Sequence, residues 1–77
     1  MALFFGVHDL KKSMGGGWED YKKACAEVGC RAIHAYSNDV KKVGYCVTEA
    51  SSADEVRKAH ENANIPLEDV FEVNRSE

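Results

Sequence analysis

The chain has little of what holds a small domain together covalently. Its three cysteines, Cys25, Cys30 and Cys46, are an odd number, and the opening Met-Ala-Leu-Phe-Phe carries no basic n-region of a secretory signal. Disulfides are therefore not expected, and the thiols are expected to stay reduced in a cytoplasmic protein. No CxxC pair exists, because four residues separate Cys25 from Cys30, and this excludes a closed zinc site of the usual spacing. No apolar run approaches the ~20 residues of a membrane span. Base is not in excess either: 10 Lys and Arg stand against 13 Asp and Glu, a net charge of −3. The doublets Lys11-Lys12, Lys22-Lys23 and Lys41-Lys42 each lie within a few residues of acids. A nucleic-acid binder would show a basic face, so neither nucleic acid nor a membrane is an expected partner.

What is present amounts to one domain. At 77 residues and 44% hydrophobic composition, a second core would not fit. Ordering each residue costs roughly 1.5 kcal/mol, close to what apolar burial returns at this size, so such chains need a further source of stability. With disulfides and a closed zinc site set aside, association with a second subunit remains.

Residues 2–10 form an aromatic-rich apolar run ended by Lys-Lys-Ser, the pattern of a strand buried on both faces. After Gly15-Gly16-Gly17, Trp18, Tyr21, Cys25 and Val28 recur at helical spacing, with acids in the first turn and Gly29 as the stop. The glycine run matches no phosphate-binding pattern, and Glu19 and Asp20 would repel an anion there. Residues 30–36 and 43–49 read as a hairpin around Ser37-Asn38-Asp39. Ser52-Ala53-Asp54-Glu55 has the form of a capping box, and the helix it opens puts Val56, Ala59, His60 and Ala63 on one stripe. Pro66 cannot continue that helix, and Asp69 to Val73 closes the chain as a strand. The order βαββαβ predicts a ferredoxin-like α+β fold, with two helices on one face of a four-stranded antiparallel sheet.

Alternation in the strands leaves apolar residues on both sheet faces. Leu3, Phe5 and Val7 point one way, and Phe4, Gly6 and Leu10 the other. Tyr45 and Val47 oppose Cys46 and Thr48, while Phe71 and Val73 oppose Val70 and Glu72. Two helices cover one face only, so the other is expected to pack on a second copy, giving a homodimeric α+β barrel. Val70 is read as a residue of that open face, where a lysine would disrupt the dimer.

Two sets of side chains carry possible chemistry. Strands one and three are read as parallel neighbours, which brings His8 and Asp9 near Glu49. One imidazole and two carboxylates suit a divalent metal such as nickel, zinc or manganese, or a general base. The second set is Cys46 and His60. Eight helical residues after Ser52 cover about 12 Å back along the sheet. The step from Glu49 back to Cys46 covers about 10 Å, so His60 and Cys46 come level if Cys46 faces the helices. Such a pair makes a thiolate nucleophile, ligates a cofactor metal, or is a small buried thiol beside a structural histidine. Cys25 reads as core, Cys30 as the start of a strand, and His34, beside Tyr36 on an edge strand, as surface or dimer rim.

Several segments resemble the nickel-binding-protein-like family of small ferredoxin-like proteins. They are Tyr45-Cys46-Val47-Thr48-Glu49-Ala50, Ser52-Ala53-Asp54-Glu55-Val56, His60, Pro66 and Glu72-Val73. Val7-His8-Asp9 is similar to that family's Val-His segment, with Asp9 where members often carry a second histidine. The resemblance implies a dimeric α+β barrel and, in at least part of the family, bound nickel. It also singles out His8, Cys46, Glu49 and His60. The expected function is a small metal-binding protein with His8, Asp9 and Glu49 as ligands. Two alternatives stand beside it: a barrel holding an organic molecule in a cavity lined by Phe4, Tyr45 and Cys46, with His60 as base, and an interaction module without chemistry.

Overall fold

Strict alternation in the first segment produces a strand with two unlike faces. In β1 (Ala2–Asp9), Phe4, Gly6 and His8 are buried, while Leu3, Phe5 and Val7 are only half-buried. The strand expected to be covered on both sides is thus covered on one within the single chain. The computed structural model describes residues 1–76. After β1 come α1 (Trp18–Val28), β2 (Arg31–Asn38), β3 (Val43–Ala50), α2 (Ala53–Asn62) and β4 (Asp69–Val73). This is the expected βαββαβ order, and the four strands form one antiparallel sheet in the order β2-β3-β1-β4.

Local chemistry sets the element ends. Asp20 accepts a hydrogen bond from the Gly17 N–H at 3.0 Å and caps the start of α1. Gly29 ends the helix at φ 101°, left-handed backbone that suits glycine, and the N–H groups of Gly29 and Cys30 both bond the Cys25 carbonyl. Asn38 Oδ1 accepts from the N–H groups of Val40 and Lys41, closing the β2–β3 connection. At α2 the Ser52 hydroxyl accepts from the Glu55 N–H, while the Glu55 carboxylate reaches back to the Ser51 N–H at 2.8 Å. The capping box is therefore present with its return bond displaced by one residue. Past α2, the Gly15 N–H bonds the Asn64 carbonyl, so the glycine run is a loop that ties the two helical ends together.

The register corrects one expectation. β1 and β3 are antiparallel, with Leu3 opposite Glu49, Gly6 opposite Cys46 and His8 opposite Gly44. The reason is topological. A helical crossover makes β1 and β2 run the same way, and the β2–β3 hairpin reverses the chain. Once β3 inserts between them, it must oppose both. His34 sits opposite Val47 on the exposed edge strand.

Both helices lie on one face. The core joins Phe4, Cys46, Ala50 and Val70 of the sheet to Tyr21, Ala24, Cys25, Val56 and Ala59 of the helices. The thinnest dimension of the molecule is 17 Å, enough for a sheet and one helical layer about 10 Å away. Val70 belongs to this core at 7% exposure, because its register partner Gly6 faces the helices; the earlier placement on the open face is corrected. The open face carries Leu3, Phe5, Val7, Tyr45, Val47 and Phe71. There the Phe5 ring lies 5.2 Å from that of Tyr45 and 5.8 Å from that of Phe71. No helix among the described residues is long and apolar enough to cross a membrane.

Candidate metal centre

Three side chains from three elements meet in the core. His8 points toward the helices because it shares parity with Phe4 and Gly6 on β1. Cys46 does the same from β3, directly across from Gly6. His60 comes down from the buried stripe of α2, one turn after Val56. All three are buried, and their ligand-capable atoms lie within 4.8 Å of one another. His60 Nε2 is 3.5 Å from Cys46 Sγ, so the height match expected from helix and strand rise is met.

Hydrogen bonds fix both imidazoles. His60 Nδ1 lies 2.7 Å from the Val56 carbonyl oxygen, and His8 Nδ1 lies 3.0 Å from that of Pro66. A carbonyl only accepts, so each Nδ1 carries the proton and donates it. In a neutral ring Nε2 then keeps a lone pair. The two rings, 5.0 Å apart, bring those lone pairs toward one thiol. Holding a histidine by its far nitrogen is how proteins orient metal-binding imidazoles.

Electrostatics keeps His60 and Cys46 uncharged. Burial pushes the His60 imidazolium down to about 4, against partial support from the Val56 carbonyl, so the ring is neutral at pH 7. Burial also raises the Cys46 thiol, a shift only partly offset by hydrogen bonding with Thr48. Neither group is charged at rest, and this disfavours a thiolate–imidazolium nucleophile of the kind that activated cysteines use. Two imidazole nitrogens and a thiol that can surrender its proton instead form a borderline-soft donor set, suited to nickel, zinc or copper. Donors on a four-coordinate ion with bonds near 2.1–2.3 Å lie roughly 3.4–3.8 Å apart, a separation that His60 Nε2 and Cys46 Sγ already have, so any closing would fall to His8. Three protein donors leave a fourth position open.

The carboxylates lie elsewhere. Glu49 pairs with Leu3 at the opposite end of β1 from His8 and projects to the open face. Five residues of strand, roughly 17 Å, separate it along β3 from Gly44, the residue opposite His8. Asp9 follows His8 and so turns to the other face, where it accepts the Lys11 N–H at 3.0 Å. The grouping of His8, Asp9 and Glu49 is not assembled, and His8 joins Cys46 and His60 instead. Cys25 and Cys30 are buried and free. Burial raises the Cys25 thiol and pushes Cys30 up to about 12.

Other contributors went unrecognised in the sequence. A Cβ at Gly6 would lie 2.6 Å from Cys46 Sγ and 3.8 Å from His8 Nε2, so this glycine keeps the space between the donors empty. A glycine inside a strand, where it weakens pairing, was the available signal. Tyr21 packs its ring, tilted by 44°, against His60 at 4.3 Å and shares a hydrogen bond with Thr48, walling one side of the centre. Desolvation raises its phenol well above the ordinary range. A cavity of about 200 Å³ opens beside the centre, lined by Tyr45, Cys46 and His60 as expected, but not by Phe4.

No curated protein matches the chain. The crystal structure of SCO4226 from Streptomyces coelicolor A3(2) is similar in fold, with a TM-score of 0.74 and 23% identity over 99% of this chain and 100% of that one. The model of the family described as "Nickel responsive protein SCO4226-like" matches residues 8–73, a span that opens on His8 and includes Cys46 and His60. The resemblance drawn from sequence segments is thus met by a match across nearly the whole domain, and the chain belongs to the SCO4226-like family of nickel responsive proteins.

Proposed function

We propose that the protein binds a divalent metal ion, nickel or one of similar preference, through His8 Nε2, Cys46 Sγ and His60 Nε2. One observation carries this reading: two buried imidazoles, each fixed through Nδ1 to a backbone carbonyl, converge on one buried thiol. With both Nδ1 atoms bonded to carbonyls, the second nitrogens are left to face one cysteine, His60 Nε2 within hydrogen-bond reach of its thiol, and this is the orientation that metal-binding histidines take. The family's description as nickel responsive supports the choice of ion. A bound ion would act as a Lewis acid with a position open to exchange. The protein's own part is to hold the donors in place and to release the Cys46 proton on binding.

The functional unit on this reading is a homodimer in the cytosol, where thiols stay reduced. The open face, with Phe71 45% exposed and three aromatic rings in mutual contact, suits a second copy of the chain.

Calorimetric titration of metal-stripped protein with nickel and zinc chloride tests the proposal. The wild type should bind one ion per chain with micromolar or tighter affinity, and His8→Gln and His60→Gln should each weaken it by more than about 100-fold. Failure of the wild type to bind, or wild-type affinity in both variants, would overturn it.

A further inference from the structure

We propose that the cavity beside the trio takes a small, neutral, single-ring molecule whose donor atom occupies the open position on the metal; this rests on the metal-binding reading above. Three observations converge. First, the cavity is bounded by His8, Cys46 and His60 themselves, so a molecule within it lies next to the metal. Second, its remaining walls are mainly apolar and aromatic, including Leu10, Met14, Trp18, Tyr21 and Ile65. No Asp, Glu, Lys or Arg lines it, so a charged ligand would enter without a counter-charge, a costly burial. Third, its volume of about 200 Å³ suits one ring, since an apolar cavity of roughly 150 Å³ suffices to hold benzene.

The neighbouring cavity gives the contrast. It is larger, about 360 Å³, and also reaches His60, but Arg57, Glu61, Glu68 and Asp69 line it. Water and ions suit that side. The apolar side suits a ring, with an uncharged nitrogen, oxygen or sulfur facing the metal.

The probe is pyridine, a neutral one-ring donor, with acetate as the charged, ringless comparison. Both are titrated into the cobalt-loaded full chain while the visible d–d bands are followed. Pyridine should shift the bands at a concentration at least tenfold below acetate. Ala35→Phe, at an exposed residue on the cavity rim, should keep its cobalt and weaken pyridine at least tenfold. Ser37→Trp on the same rim gives a second filling variant with the same expectation. If cobalt loads but pyridine and acetate bind alike, or both filled variants bind pyridine as the wild type does, the cavity assignment is overturned and metal binding stands. If no cobalt loads, both readings fall together.

Discussion

Gly6→Ala places one methyl group where the metal donors converge. The new Cβ would lie 2.6 Å from Cys46 Sγ and 3.1 Å from Leu67 Cδ1, the first about an ångström inside ordinary contact. Leu67 can yield by a small rotation near its tip. Cys46 has only one rotatable bond, and its sulfur is held against His60 Nε2 at 3.5 Å. Relief therefore requires the thiol to swing out of the trio. Overpacking of this kind costs roughly 1–3 kcal/mol. The lost freedom of glycine in the unfolded chain returns about 0.4–1 kcal/mol. The mid-range net loss of about 1.3 kcal/mol should lower Tm by roughly 5–10 °C for a domain of this length. Gly44→Ala is the control, since its Cβ would meet only Leu10 Cδ2 at 3.2 Å and His8 Cβ at 3.6 Å. Thermal melts of metal-stripped protein report the stability, and nickel titration of the same samples reports the donor geometry. Gly6→Ala should lose both, with nickel affinity down more than tenfold, while Gly44→Ala loses less of each. A Gly6→Ala protein that melts with the wild type and binds nickel equally would refute the reasoning.

Three further outcomes follow from the same geometry. In metal-stripped protein, His60 protonates near pH 4 when folded and near 6.5 when unfolded. The unfolded state therefore takes up the proton first, and stability should fall by about 2 kcal/mol between pH 7 and 5 in urea titrations; a flat profile there would contradict a neutral buried His60. Burial holds the Cys46 proton in place beside Tyr21, Thr48 and the two histidines, so metal must displace it. Apparent nickel affinity should then rise about tenfold per pH unit between pH 6 and 8, and a pH-independent constant would exclude thiolate ligation. Phe71→Lys, on the exposed face and outside the core, should yield folded monomer by analytical ultracentrifugation; a dimer surviving that change would move the interface elsewhere.

Much of the fold was legible because each element carries its own local signal. The stop at Gly29, the Ser52 cap and the break at Pro66 need no tertiary information. The level of His60 against Cys46 was also legible, since it follows from two fixed rises per residue and a short connection. Strand direction was not. A hairpin inserted between two co-directional strands reverses β3, and that one fact moves Glu49 from beside His8 to beside Leu3. Asp9 failed for a smaller reason, because adjacent residues on a strand face opposite ways. Val70 failed similarly: its face is decided by its pairing with Gly6, and β4 is too short to declare an inner side by itself. Gly6 carried one signal, a glycine inside a strand, but its place in the centre shows only once its neighbours across the sheet are known.

X-ray absorption at the nickel K-edge of the loaded protein tests the central claim most directly, because it reads the donor set itself. The expected spectrum has one sulfur near 2.2–2.3 Å and two nitrogens near 2.0–2.1 Å with the multiple scattering of imidazole, and the sulfur shell is lost in Cys46→Ala. A shell of oxygen alone, or one unchanged by Cys46→Ala, would contradict it and return the metal to the protein surface.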